Sequence, residues 1–259
     1  MLKRLLLATM LATSAIGAAA ADNTDIWYNP TEPGWGVNLV QSDNFVFATL
    51  FIYGQNGSPT WYTAQLTWDG ARMYTGGLYA AAGTWFATAW QTGNRSVVQA
   101  GTASFEPSSL GAHRGTLAYT VNGVATVTKS IERQTLTTIV LGGSYTGGQS
   151  GTYSACANPA DNRAYTDRHD LEVTHLASGN ATFQFKYTAN LTCTLSGVLE
   201  QHGQLYRIPT ATYLCSDGVN TSATLSEIKA TAQGIEGRLS VASAAGACRE
   251  DARFSAVLQ

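Results

Sequence analysis

Alternation of apolar and polar residues is the feature that most constrains how this chain can fold. Phe183, Phe185 and Tyr187 alternate with polar neighbours, and the same two-residue period recurs along most of the sequence after residue 21. Because successive side chains of a strand point to opposite faces, this period predicts β-strands. Helical periodicity is hard to find. The segment 223–230 comes closest, and it is equally compatible with a strand that contains a bulge.

Turn residues separate the predicted strands at regular intervals. Asn122-Gly123 predicts a two-residue hairpin turn, because both central residues of the favoured turn need positive φ. Asn56-Gly57 divides Phe45–Tyr53 from Pro59–Trp68, and His202-Gly203 divides the two runs around it. Short strands with regularly spaced turns are typical of barrels and sandwiches. We count about eight strands in each half, which is enough to close an antiparallel barrel, and a sandwich stays the alternative.

The composition changes near residue 140, which predicts two tandem β domains. All six Trp residues precede that point and all four Cys residues follow it. A short apolar run that ends in Gly142-Gly143 marks the boundary. We therefore expect a Trp-rich domain over residues 22–140 and a disulfide-containing domain over residues 141–259, each an antiparallel barrel or a related sandwich.

The first 21 residues have the layout of a secretory signal peptide. Lys3 and Arg4 form a short basic start, and an apolar stretch then runs to a cluster of alanines that ends at Ala21. Such a segment is removed from the mature protein, and an uncleaved membrane anchor is the alternative. No later stretch approaches the ~20 apolar residues of a membrane span. We expect an exported protein, periplasmic or extracellular, without a membrane span after cleavage.

The four cysteines, Cys156, Cys193, Cys215 and Cys248, predict two disulfides. An even number in an exported chain favours oxidation, and no C-x-x-C spacing indicates a zinc site. Of the three pairings, we favour Cys193–Cys215, which would join adjacent strands, with Cys156–Cys248, which would tie the start of the domain to its end. A hairpin that turns at His202-Gly203 does not place the first pair directly opposite unless one strand contains a bulge.

The N-terminal half carries distinctive motifs. They are Trp27-Tyr28-Asn29-Pro30, Gly34-Trp35-Gly36 with Asn38, Phe47-Ala48-Thr49-Leu50-Phe51, Pro59-Thr60-Trp61-Tyr62, and two segments at 115–123 and 129–133. Over roughly residues 26–135, the chain resembles a group of exported proteobacterial β-proteins that share a WYNP…GWG…N opening. The resemblance implies export and β-structure and implies no activity. The C-terminal half resembles a companion domain of such proteins.

Aromatic residues of the N-terminal half are the candidate ligand-binding residues. Trp61 shares a strand face with polar neighbours, whereas Tyr62 and Trp68 share the opposite, apolar face and are expected in the core. A flat apolar ring beside hydrogen-bonding groups suits a sugar or a small apolar ligand. Alternatively, Trp61 covers part of the sheet, packs on the second domain or caps a barrel mouth. The full set of candidates is Trp61, Trp35, Trp27, Trp85, Asn38 and Glu32.

One predicted strand, Phe45–Tyr53, is apolar on both faces, which favours a central strand covered on both sides. The two histidines of a later strand, His169 and His175, should share one face with Leu171 and Val173. They would lie ~20 Å apart along it, too far for one metal ion.

Catalytic motifs are absent from the sequence, so no catalytic residue is proposed. Gly148-Gln149-Ser150-Gly151 lacks the spacing of a nucleophile elbow, and residues 147–151 are expected to form a flexible turn. With 15 Lys and Arg against 17 Asp and Glu, the chain has no basic footprint for nucleic acid. No cofactor or metal is expected.

These observations favour a non-catalytic binding module that takes a glycan or a small apolar ligand through its N-terminal aromatic residues. One alternative is a structural or protein-interaction module of the cell envelope. A second alternative is a hydrolase, because a pair of catalytic carboxylates is defined by its position in space and leaves no sequence motif.

Overall fold

The structure, a computed structural model, describes residues 22–188, 190–243 and 248–259 of the chain. The predicted signal peptide, residues 1–21, lies outside the described residues. Strands dominate the described part, and its two 3-10 helices, Thr92–Asn94 and Pro159–Asp161, have three residues each. No helix in this part is long and apolar enough to cross a membrane. The all-β prediction is confirmed.

Eight strands of the first half form a closed antiparallel barrel, in which each strand pairs with the next along the chain. They are β1 (Asp25–Tyr28), β2 (Gly36–Ser42), β3 (Phe45–Tyr53), β4 (Pro59–Trp68), β5 (Tyr74–Ala82), β6 (Ser96–Pro107), β7 (Arg114–Val121) and β8 (Val127–Arg133). The barrel closes where Trp27 and Tyr28 pair with Arg133 and Glu132. Closure leaves no exposed sheet edge. We call this unit the N-terminal barrel.

The second half forms a nine-stranded antiparallel sheet. Its strands are β9 (Gly143–Ser154), β10 (Arg163–His175), β11 (Asn180–Tyr187), β12 (Thr192–Val198), β13 (Glu200–His202), β14 (Leu205–Cys215), β15 (Asn220–Ala230), β16 (Gly234–Val241) and β17 (Arg249–Leu258). Because β17 pairs with β9 and β12 pairs with β14, eight of the strands complete a ring. The short β13 extends β12. We call this ring the C-terminal barrel.

A one-residue register change in the hairpin between β12 and β14 brings two cysteines together. Gly197 pairs with Ala211, whereas Glu200 beyond it pairs with Arg207, so the strand bulges between them. The shift places Cys193 opposite Cys215, and these two form a disulfide. The second disulfide joins Cys156 to Cys248. Both predicted pairings are confirmed, and so is the bulge that the first one needs.

The predicted turns match the structure better than the predicted register. The strands before and after Asn56-Gly57 have the expected bounds, and β15 has the expected bulge, between Ser226 and Lys229. The turn at Asn122-Gly123 is present, with the Val124 amide donating to the Val121 carbonyl. Its strands resume at the Tyr119–Val127 pair, one residue later than a two-residue hairpin would give.

The segment 147–151 corrects the sequence prediction, because it lies in the middle of β9 and forms no turn. Its glycines are required by close strand packing. A side chain at Gly147 would clash with the Ser255 carbonyl of β17, and one at Gly151 would lie 2.6 Å from the Asp251 carbonyl. Glycine therefore indicates crowding between neighbouring backbones here, not flexibility.

The outer face of β3 also corrects a prediction. Phe45, Phe47, Phe51 and Tyr53 point away from the barrel interior and are exposed. The expectation that this strand is covered on both faces is wrong for the described residues, because β3 belongs to a closed barrel with nothing packed on its outer side. Its inner residues Val46, Ala48 and Leu50 are buried as expected.

The turn between β13 and β14 contacts the N-terminal barrel. Arg133 and Asp25 form a buried ion pair there, with 3.1 Å between Nη1 and Oδ2. The Gln204 amide of the turn donates to the same Asp25 oxygen at 3.2 Å. The His113 and His202 rings stack across the contact with 4.2 Å between their centroids. The opposite end of the C-terminal barrel therefore faces away from this junction.

Candidate ligand-binding site

A cavity of about 290 Å³ lies at the mouth of the C-terminal barrel, at the end away from the junction. Tyrosines from four strands line it, and a glutamate from a fifth strand lies among them. These residues are Tyr153 of β9, Tyr165 of β10, Tyr187 of β11, Tyr213 of β14 and Glu250 of β17. Aromatic walls around one acidic group distinguish this mouth from an ordinary packed core.

Strand phase explains why these side chains point inward. Along β17, Glu250 shares its phase with the buried Ala252 and Phe254. Where β17 pairs with β9, Glu250 lies opposite Tyr153. Where β10 pairs with β9, Tyr165 lies opposite Gly151. Because Gly151 has no side chain, the larger residues around it can share the space above it.

A hydrogen-bond network joins the polar groups below the cavity. The Tyr165 hydroxyl donates to Oε1 of Glu250 in a short contact, and the Gln149 Nε2 donates to the same oxygen at 3.1 Å. The Tyr187 hydroxyl donates to Oε1 of Gln149 at 3.1 Å. Among the described residues, no hydrogen bond reaches Oε2 of Glu250. One carboxylate oxygen therefore stays available to another group.

Burial controls the protonation of this network. Glu250 is 7% exposed, and desolvation raises the pKa of its carboxyl group, while the donors Tyr165 and Gln149 act in the opposite direction. Burial and the nearby Glu250 charge raise the pKa of Tyr153 to about 12, and they raise the pKa of Tyr213 as well. The tyrosines therefore stay neutral phenols at physiological pH.

The rim of the mouth is cross-linked and acidic. Both disulfides border the cavity, so covalent bonds fix the rim at two places. Three further carboxylates, of Asp161, Asp167 and Asp217, line the cavity, against one guanidinium, of Arg163. A rim held in one shape loses less entropy when a ligand binds.

His169 lies deeper in the same barrel. It is buried beside Phe185 and Tyr187, and neither ring nitrogen has a hydrogen-bond partner among the described residues. Burial lowers the pKa of His169, so the ring is neutral. His169 and His175 both face inward from β10, as the strand pattern predicts. Among the described residues, no group of three His, Cys, Asp or Glu side chains could hold a metal ion.

The structure disperses the tryptophans that sequence reasoning singled out. Trp27 is fully buried in the core of the N-terminal barrel and offers no ring face to a ligand. Trp61 lies on the outer face, 49% exposed, and pairs with Phe51 of the neighbouring strand. Trp85 lies in the loop between β5 and β6 and is 65% exposed. These three rings do not converge on one site.

Two of the predicted residues do meet. The Trp35 indole donates to Oε2 of Glu32 at 3.2 Å, and Lys129 pairs with the same oxygen at 2.6 Å. Lys129 also lies 5.9 Å from the centre of the Trp35 ring. Asn38 is exposed on the outside of β2. The Glu32 carboxylate therefore already has two partners within the fold, Trp35 and Lys129. The expected core positions of Tyr62 and Trp68 are confirmed.

Sequence reasoning missed the cavity because it treated residues 147–151 as a turn, which removed Gln149 from consideration. One indication was present in the sequence. Glu250 occupies the phase of Ala252 and Phe254, which places a carboxylate at a core-facing position of a strand. Charged residues are almost never fully buried without a partner, so this position is unusual.

No family model matches the chain, and no curated protein matches it. Similar solved structures include a candidate outer membrane protein from Bacteroides fragilis, with 8% identity and a TM-score of 0.33. Another is a protein of unknown function from the DUF3598 family of Nostoc punctiforme, with 11% identity and a TM-score of 0.27. Each alignment covers 92% of this chain and 96% of the other. Similarity this weak carries no argument about function.

Proposed function

We propose that this chain is an exported, non-catalytic binding protein that holds a small ligand in the mouth of the C-terminal barrel. Glu250 is the observation that carries the proposal. Its carboxyl group is buried next to a cavity, and among the described residues it forms hydrogen bonds but no ion pair. Burying a carboxylate destabilises a fold, and groups with perturbed pKa values in clefts are candidates for functional sites.

The shape of the mouth supports a small ligand. Its volume of about 290 Å³ is near the lower end of the ~300–1,000 Å³ that ligand pockets occupy. Tyrosine provides a flat apolar face together with a hydroxyl group, so it can both pack against a ligand and orient it. The disulfides support a preformed pocket, since they hold the rim in place.

This proposal places the site in the C-terminal barrel, whereas the sequence favoured the aromatic residues of the N-terminal half. The reason is convergence, because side chains from five strands meet at the mouth while the predicted tryptophans are dispersed. A glycan site on the N-terminal aromatics stays a prediction. The two disulfides support an exported protein, since such bonds persist in oxidising compartments.

A blocked mouth tests the proposal. Val219 lines the cavity, so Val219→Trp should fill it, whereas Leu214→Trp adds the same ring on the exposed outer face of β14. NMR spectra of the labelled protein with a small-molecule library should show shifts at the mouth. These shifts should disappear in Val219→Trp and persist in Leu214→Trp. Ligand shifts that survive the blocked mouth would contradict the proposal.

A second function, binding to another protein of the envelope, is favoured by an outer stripe on the N-terminal barrel. We define the outer stripe as Val40, Phe45, Phe47, Phe51, Tyr53 and Trp61, all exposed on β2, β3 and β4. Contiguous exposed apolar surface is typical of interaction sites. A partner captured by the wild type should be lost with Phe51→Ser and Trp61→Ser combined. Thr49→Ser, on the same outer face of β3, is the control.

A further inference from the structure

The chemistry of the mouth restricts the class of ligand, an inference that rests on the proposed function. We propose that the C-terminal barrel binds a small organic cation, with its ammonium group beside Glu250 and its alkyl groups against the tyrosine rings. Three independent features of the cavity lead to this class: its charge, its aromatic walls and the free carboxylate oxygen.

The charge of the mouth opposes an anion. Four carboxylates line the cavity, those of Asp161, Asp167, Asp217 and Glu250, and the single cationic side chain among the lining residues is Arg163. A cleft lined by one sign of charge concentrates ligands of the opposite sign, because its low-dielectric walls focus the field. A carboxylate or phosphate ligand would instead be brought close to Glu250 at a repulsive distance.

The aromatic walls favour a cation over a neutral polar ligand. The Tyr153 and Tyr165 rings stack with 4.5 Å between their centroids and 15° between their planes, so each ring covers one face of the other and keeps a second face. The negative face of an aromatic ring attracts ammonium groups, most strongly when the site excludes water. Tyr187 and Tyr213 add two further rings around Glu250. Burial raises the pKa of all four phenols, so they stay neutral.

The hydrogen bonds at Glu250 leave room for the cation. Tyr165 and Gln149 both donate to Oε1, which is what an ionised carboxylate accepts. Oε2 receives no hydrogen bond from the described residues. A cation beside Oε2 neutralises the buried charge. A neutral group that only accepts hydrogen bonds would instead lie against Oε2, which is itself an acceptor. The fold thus supplies a counter-ion that has no charged partner among the described residues.

The test compares a cation with an uncharged molecule of the same shape. Mature protein, residues 22–259, is titrated calorimetrically with tetramethylammonium, choline and benzyltrimethylammonium, and with 3,3-dimethylbutan-1-ol, which has the shape of choline without its charge. We expect saturable binding of at least one cation, with the alcohol at least about tenfold weaker than choline. NMR shifts of the same samples locate the binding.

Two sets of variants assign the effect to charge. Glu250→Gln should weaken cation binding at least about tenfold and leave the alcohol unchanged, whereas Glu236→Gln, which removes an exposed charge on β16, should change neither. Because Glu250 is buried, its variant is checked by circular dichroism. Asp161→Asn with Asp217→Asn removes exposed rim charges without touching the core, and should weaken cation binding about threefold.

The possible outcomes separate the two proposals. Equal binding of choline and the alcohol at the mouth would overturn the cation inference and leave the proposed function standing. Cation binding unaffected by folded Glu250→Gln would also overturn the inference. If none of the three cations shifts the mouth resonances, the inference is wrong. If the small-molecule library also gives no shifts there, the proposed function is wrong as well.

Discussion

The two barrels share one architecture but differ in whether their buried charged side chains form an ion pair. Each has eight antiparallel strands that follow one another around a ring. In the N-terminal barrel the buried charges, Asp25 and Arg133, form an ion pair at the junction end. In the C-terminal barrel Glu250 is buried without an oppositely charged partner among the described residues, and a cavity lies beside it. Equal topology therefore does not imply equal function, which depends on the residues at each mouth.

The surfaces of the barrels differ in a complementary way. The N-terminal barrel carries its unusual apolar residues on the outside, as the outer stripe, and its buried polar side chains include Asp25, Arg133 and His113 at the junction. The C-terminal barrel has polar groups inside, at Gln149, His169 and Glu250, and disulfides around its rim. We propose that one barrel contacts a large surface and that the other encloses a small molecule. The following predictions test this contrast.

The largest effect is expected from the longer disulfide. Replacing Cys156 and Cys248 by Ala removes a bridge between residues 92 positions apart. In the chain-entropy model, this costs about 4–5 kcal/mol of unfolding free energy. Calorimetry should show the transition of the C-terminal barrel at a much lower temperature and that of the N-terminal barrel unchanged. A single transition that shifts as a whole would show that the barrels unfold together.

The buried ion pair should have nearly as large an effect on the other barrel. Asp25→Ala leaves the Arg133 guanidinium buried without its counter-ion, which costs about 3–5 kcal/mol. Urea unfolding followed by Trp fluorescence reports on the N-terminal barrel, since all six Trp lie there. Arg72→Ala removes the exposed pair with Glu106 in the same barrel and should cost only about 0–1 kcal/mol. Equal losses in the two variants would contradict the account.

Acid should weaken the junction between the barrels. Burial, reinforced by the positive charge of His202, Arg207 and Arg114, lowers the pKa of His113 to about 4. The unfolded chain binds a proton near pH 6.5 and the folded chain does not. Stability is therefore complete above pH 6.5 and decreases as the pH falls to about 4, by up to about 3 kcal/mol.

The measurement for this prediction is a series of melts between pH 4 and pH 7. His113→Phe keeps an aromatic ring against His202 and should flatten the dependence over this range. A pH profile that is the same in wild type and variant would show that His113 does not report on the junction.

A smaller effect of opposite sign is expected at the mouth. Burial raises the pKa of Glu250, so the folded chain holds its proton to higher pH than the unfolded chain. This contribution to stability is present at low pH and is lost as the pH rises through the folded pKa. Glu250→Gln removes the cost of burying the charge and should stabilise the C-terminal barrel at pH 7 by about 1 kcal/mol. A destabilised variant would indicate a structural role for the carboxylate.

The smallest effect is expected on the outer stripe. Trp61→Ala should change the unfolding free energy by less than about 1 kcal/mol, because half of the ring is exposed. Trp27→Ala in the core of the same barrel should cost about 3–5 kcal/mol. Both are measured by urea unfolding. A large loss with Trp61→Ala would show that the outer stripe stabilises the fold, and glycan binding lost without destabilisation would support the N-terminal site.

The fold was largely predictable from the sequence because strand phase and turns are local properties. The alternation around Phe183 and Phe185 and the turn at Asn56-Gly57 need no knowledge of distant residues. The disulfide between Cys193 and Cys215 also followed from local reasoning, since a hairpin and one bulge bring the two together.

The site was less predictable because it depends on which strands become neighbours. Tyr165 and Glu250 are 85 positions apart, and only ring closure between β17 and β9 brings them within hydrogen-bonding distance. The inward phase of Glu250 could be predicted, but the empty space beside it could not. Gln149 was overlooked because glycines surround it in the sequence, and such glycines normally predict a turn. Here they allow two neighbouring backbones to approach each other.

Chemical-shift mapping of residues 22–259 during a choline titration tests the central claim most directly. The claim is that the mouth of the C-terminal barrel, and not the aromatic surface of the N-terminal barrel, is the ligand-binding site. The account predicts saturable shifts at Tyr153, Tyr165, Tyr213 and Glu250, with the resonances of Trp35 and Trp61 unchanged. Shifts centred on Trp35 or Trp61, with the mouth unaffected, would contradict it.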